Sequence, residues 1–135
     1  MVRRSRPLKT FAHVVVDFDR RRVVITRTAE PYASIDEVKV FWNAIHERLH
    51  MVQEGHWDLL TDLRQVQGRN DEAFEKVMEA CRRPIYDRFR RSAVIVRSAV
   101  GRMQIARHTR ADAPDTRIFN NLADAETWLS TRARR

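Results

Sequence analysis

Hydrophobic positions along this chain fall into blocks of two different periods, and the periods predict the elements. Phe11 to Phe18 (FAHVVVDF) and Arg22 to Thr28 (RVVITRT) are rich in Val and aromatic residues and flank the polar turn Asp19-Arg20-Arg21. Two such runs joined by so short a turn predict an antiparallel hairpin. Glu30-Pro31 ends its second strand. The spacing then turns helical, with Val38, Phe41, Trp42, Ile45, Leu49 and Val52 on one stripe. This predicts a helix over about residues 35–53, with Ser34 and Glu37 as a capping box and Gly55 as the stop.

His56 to Leu63 (HWDLLTDL) reads as a short buried strand, followed by a polar loop from Arg64 to Arg69. Asn70 is placed to cap a second helix, whose apolar face is Phe74, Val77, Met78 and Cys81. Pro84 is expected to break or kink that helix, while Ile85 and Phe89 continue its stripe. Ala93 to Val96 is a continuous apolar run, the mark of a strand covered on both faces. Ser98 would cap a third helix through Val100, Met103, Ile105 and Ala106. Arg117-Ile118-Phe119 makes a short strand, and Asn121 caps a final helix carrying Leu122, Ala125, Trp128 and Leu129.

The order β-β-α-β-α-β-α-β-α predicts an α/β fold. Its sheet is mixed and mostly parallel, of about five strands with four helices, and its first strand is antiparallel. One domain is expected over residues 11–130, between basic tails at 1–10 and 131–135.

Composition narrows the function classes. The 135 residues are 43% hydrophobic and 33% charged, which excludes a disordered chain. No apolar run approaches the roughly 18 residues of a membrane helix, and no apolar segment follows the basic N-terminus. The single Cys81 cannot form an internal disulfide, so a cytoplasmic location is expected. Three scattered glycines exclude a phosphate-cradling Walker loop and a dinucleotide fingerprint, and no motif calls for a cofactor.

The formal charge of +8 suggests nucleic acid until it is located. Arg3, Arg4, Arg6, Lys9, Arg132, Arg134 and Arg135 are all in the tails, which contain no acid. Setting these seven aside leaves 19 basic groups against 18 acids, a body of net +1. Nucleic acid is therefore not the expected partner, and any contact with an acidic surface would run through the tails. Of the 26 bases 23 are Arg, a bias that fits either phosphate recognition or a GC-rich coding sequence.

Candidate chemistry is sparse. His46-Glu47-Arg48-Leu49-His50 is a literal H-E-x-x-H on the first predicted helix, the pattern in which two His hold zinc and Glu acts as base. At about 100° per residue, His46 lies near 90° and His50 about 130° from the centre of the apolar stripe, so His50 points toward solvent. Arg48 inside the motif opposes a dication, and a third ligand is not evident. A zinc hydrolase is therefore not expected. The serines lack a nucleophile elbow, and Cys81 belongs to the core face of its helix. Trp42, Trp57 and Trp128 sit on separate elements, as packing residues rather than a stacking platform.

Several short motifs together resemble the SpoIIAA-like branch of the STAS/SEC14-type domains, small bacterial α/β proteins related to anti-sigma-factor antagonists. They are Trp57 to Arg64 (WDLLTDLR), Asn70 to Phe74 (NDEAF), Ala93 to Val96, Ile118-Phe119-Asn120, and Ala125 to Leu129 (AETWL). The resemblance covers about residues 11–130 and implies a regulatory or protein-interaction module, not an enzyme. Classical STAS antagonists carry a phosphorylatable Ser after the third strand. Residues 62–70 (DLRQVQGRN) contain neither Ser nor Thr, so that switch is not expected here.

The same segment supplies the candidate partner- or ligand-binding residues Asp62, Arg64, Gln65, Arg69, Asn70 and Asp71. They gather at a strand's carboxyl end and a helix N-terminus, where open α/β sheets bind ligands. An ordinary solvated connection with a helix cap would look the same. The SEC14 relationship implies a second reading, a small-ligand or lipid carrier with an apolar cavity lined by Trp42, Phe74 and Met103. Pairing of two copies stays open.

Overall fold

The structure, a computed structural model, describes residues 10–66, 71–97 and 115–131. The expected third helix at Ser98 to Ala106, with Met103, lies outside the described residues, as do the tails at 1–9 and 132–135.

The hairpin forms as expected. Strand β1 (Ala12–Asp17) runs antiparallel to β2 (Arg22–Arg27), with Val14 opposite Ile25 and Val16 opposite Val23. The turn between them is built on Asp17, whose Oδ1 accepts from the backbone N–H of Asp19 and Arg20, both at 3.1 Å. Arg21 then takes the left-handed conformation at φ 53° that closes the loop.

Helix α1 (Ile35–Arg48) starts on Ser34, whose hydroxyl accepts from Glu37 N–H at 3.2 Å. The returning Glu37 carboxylate reaches Ala33 N–H at 2.7 Å, one residue earlier than in the usual box. The helix stops at Arg48, well short of the expected residue 53. Leu49 and Val52 stay buried, as the stripe demands, but in an irregular segment. Arg88 stabilises this early stop, because its Nη2 donates to the carbonyls of Leu49 and Val52, both at 2.9 Å. Gly55 follows at φ 83° with open space around it, so its conformation and not crowding requires glycine.

Strand β3 (Asp58–Asp62) leads to α2 (Glu72–Tyr86). The cap of α2 is Asp71, not Asn70: its carboxylate accepts from Ala73 and Phe74 N–H at 3.1 and 3.3 Å. Pro84 does not end the helix, which runs on through Tyr86. Pro84 and Ala80, whose carbonyl loses its usual donor, are both exposed, so water can serve that carbonyl. Strands β4 (Arg91–Ile95) and β5 (Thr116–Phe119) precede α3 (Leu122–Ser130), capped as expected by Asn121 through Asp124 N–H at 2.8 Å.

The result is an α/β domain with one mixed five-stranded sheet in the order β1-β2-β3-β4-β5. The β1–β2 pair is antiparallel and the other three are parallel. Successive parallel crossovers in one direction place α1 and α2 on the same face. There Val23, Ile25, Leu59 and Val94 pack with Val38, Phe41, Trp42, Ile45 and Ile85. Helix α3 covers part of the opposite face, where Leu60, Ala93 and Ile95 meet Ala125 and Leu129. Among the described residues, no helix is long and apolar enough to cross a membrane.

Candidate functional site

The parallel strands end on one side of the sheet in the β3–α2 connection, where Asp62, Arg64, Gln65 and Asp71 are placed. Arg69 and Asn70 lie outside the described residues. Asp62 closes β3, and Arg64 turns back onto it as a fork: Nε to Oδ1 at 3.0 Å and Nη2 to Oδ2 at 2.7 Å. The Arg64 backbone N–H adds a third bond to Oδ1 at 3.0 Å. These side-chain bonds from Arg64 hold the Asp62 carboxyl below its usual range and push the guanidinium up. Asp71 is occupied as the α2 cap, and Gln65 is exposed. Among the described residues, the edge thus holds a forked Asp62–Arg64 pair and a helix-capping carboxylate, with the exposed Gln65 amide beside them.

The opposite ends of the same strands hold a different arrangement, built from residues the sequence reading passed over. The register aligns Arg22 of β2 with Asp58 of β3, and Asp58 with Arg91 of β4. Their alternation places all three on the face that α3 covers, one step before Val24, Leu60 and Ala93. Arg90 forks onto Asp58 at 3.2 and 3.0 Å, and Arg91 approaches the same carboxylate at 3.8 Å. Arg91 also donates to the Trp128 and Leu129 carbonyls at 3.2 and 2.7 Å and stacks 5.0 Å from the Trp128 ring centre. Arg20, Arg22, Asp58, Arg90, Arg91 and the C-terminus of α3 together line a groove of about 320 Å³.

No family model, curated protein or solved structure matches this chain. Its function is therefore read from its own geometry.

The H-E-x-x-H histidines do not form a ligand pair on one helix. His46 is exposed on α1, while His50 lies beyond the helix end, its Nδ1 2.9 Å from the Glu47 carbonyl. The early stop at Arg48 removes the one-turn stacking that the motif needs. Among the described residues, no three His, Cys, Asp or Glu side chains group to hold a metal ion. Cys81 is half-buried against the core, and burial pushes its thiol up, away from a reactive thiolate. Of the carrier residues, Trp42 is buried in edge-to-face contact with Phe41 at 5.2 Å, and Phe74 packs partly buried on the same core.

Asp62 and Arg64 stand two residues apart at a strand end, so their pairing was within reach of sequence reasoning. Asp58 and Arg90 are 32 positions apart. The only sequence signal for the groove is that Arg22, Asp58 and Arg91 each open a strand. That becomes a cluster only once the register is known.

Proposed function

We propose that this domain is a non-enzymatic regulatory or protein-interaction module resembling STAS domains, docking through its β3–α2 connection. One observation carries the reading: Asp62 and Arg64 are locked together at the carboxyl edge of the parallel strands beside exposed Gln65. A preorganised polar rim of this kind loses little side-chain entropy when a partner covers it. The mixed sheet with its antiparallel first strand is consistent with the STAS-type resemblance. Among its described residues the rim offers no nucleophile beside a base, which suits recognition more than bond breaking.

The test is affinity capture from the host's own lysate, quantified by mass spectrometry. The wild-type chain is compared with Arg64→Ala/Gln65→Ala after melting curves show that both are folded. A partner recovered by the wild type and lost by the double variant is the expected result. Equal recovery by both baits removes the docking surface, and no specific partner at all removes the function.

A further inference from the structure

We propose that the groove at the amino ends of β2, β3 and β4 binds a small phosphorylated anion, with Arg22 and Arg90 as its principal contacts. This goes beyond the docking reading and shares no residue with it.

The local charge balance carries the inference. Arg22 is only 6% exposed, and among the described residues its buried Nε has no hydrogen-bond partner and its one side-chain bond is a long 3.5 Å donation to Ser130 Oγ. None of the described carboxylates forms a salt bridge with it. The nearest in the register, Asp58, is already forked by Arg90 and approached by Arg91. Three guanidiniums, those of Arg22, Arg90 and Arg91, therefore line the groove with one carboxylate, which is paired with Arg90 and Arg91 and not with Arg22. The α3 C-terminus adds only about half a negative charge, and Arg91 already takes two of its carbonyls. The remaining excess lies between one and two positive charges, which matches a phosphate monoester at about −1.5 to −2 near neutral pH.

The other features suit the same ligand. A buried guanidinium without a counter-ion is costly, and an incoming phosphate oxygen would relieve that cost at Arg22. The Arg90 side chain is 44% exposed and can turn its fork outward, leaving Asp58 to Arg91. Arg20, at the rim with its side chain 68% exposed, is held by Asp17 at 3.1 Å and adds long-range attraction. A volume of about 320 Å³ is at the small end of ligand sites, enough for a phosphate with a short organic group.

Isothermal titration of the full chain with inorganic phosphate, glycerol 3-phosphate and glycerol tests this. Saturable binding of one or both phosphates and none of glycerol is expected. Tighter glycerol 3-phosphate identifies an organic phosphate as the ligand, and equal affinity identifies free phosphate. Arg22→Met should weaken binding by about tenfold or more. Ser130→Glu, an exposed change that gives Arg22 an internal carboxylate, should do the same even if Arg22→Met fails to fold. Binding of neither phosphate, or unaltered binding by Ser130→Glu, overturns the proposal. A short single-stranded oligonucleotide that binds far more tightly and displaces glycerol 3-phosphate also overturns it, in favour of a polyanion surface.

Discussion

Asp58→Asn isolates the electrostatics at the amino end of the sheet. The side chain is 3% exposed and is the only carboxylate among the residues that line the groove. The amide preserves shape and one acceptor for Arg90 but deletes the charge that Arg90 and Arg91 share. Breaking a buried ion pair typically costs about 3–5 kcal/mol. Arg90 is 44% exposed and can be rehydrated, which moves the expectation to about 2–3 kcal/mol. For a chain of this size that corresponds to about 6–10 °C in melting temperature.

Equilibrium urea unfolding at low and high salt provides the assay. The loss should shrink as salt rises, because much of it is repulsion among Arg22, Arg90 and Arg91. A double variant with Arg22→Met should be less destabilised than the two single effects added together, since the second change removes one repelling charge. A loss below about 0.5 kcal/mol for Asp58→Asn, or strictly additive effects, would refute the shared-carboxylate account. Added phosphate offers a cross-check: it should stabilise Asp58→Asn more than the wild type, because the variant presents one more unneutralised charge.

Four further outcomes follow from the structure. Asp71→Ala should cost about 1 kcal/mol by denaturant unfolding, the usual loss of a helix cap. The Asp62 carboxyl is lowered chiefly by Arg64, so its contribution to stability is present above the unfolded carboxyl's pKa near 3.8 and disappears as pH falls through the lower folded value; Arg64→Ala should flatten that limb of an acid-unfolding series. Burial pushes the Tyr32 phenol up to about 12, only partly offset by Arg27, whose guanidinium lies 4.6 Å from the ring centre. Its effect on stability should be constant below pH 10 and decline between 10 and about 12, with the folded chain's Tyr32 phenolate absorbance rising only near the upper end. His46→Ala should leave the zinc content of the purified chain unchanged by plasma mass spectrometry, since His46 and His50 do not stack on one helix.

Periodicity in the sequence carried the fold because each strand and helix buries one face, and a buried face leaves a two- or 3.6-residue signature. Val23 and Ile25, or Phe41 and Ile45, are legible on that ground alone. Element ends are set by individual hydrogen bonds, which leave no such trace. The α1 stop depends on Arg88, 39 and 36 positions from the carbonyls it serves. The α2 start is decided between adjacent Asn70 and Asp71, both competent caps by composition. The loop at 62–71 could be located by its position between a strand and a helix, whereas the groove depends on register among three strands and escapes any local reading.

The same register explains why a body of nearly zero net charge has a strongly cationic corner. Arg22, Asp58 and Arg91 open successive parallel strands, so their charges line up across the sheet instead of averaging along the chain. Open α/β sheets usually meet anions at the other edge, where helix N-termini supply free N–H groups. Here the adjoining helix presents its C-terminus, which weakly opposes an anion and is partly silenced by Arg91. Recognition at this corner would therefore rest on guanidinium side chains instead of backbone donors. Its affinity should consequently fall with ionic strength, and neutralising Arg22 should reduce that salt dependence by about the share of one contact.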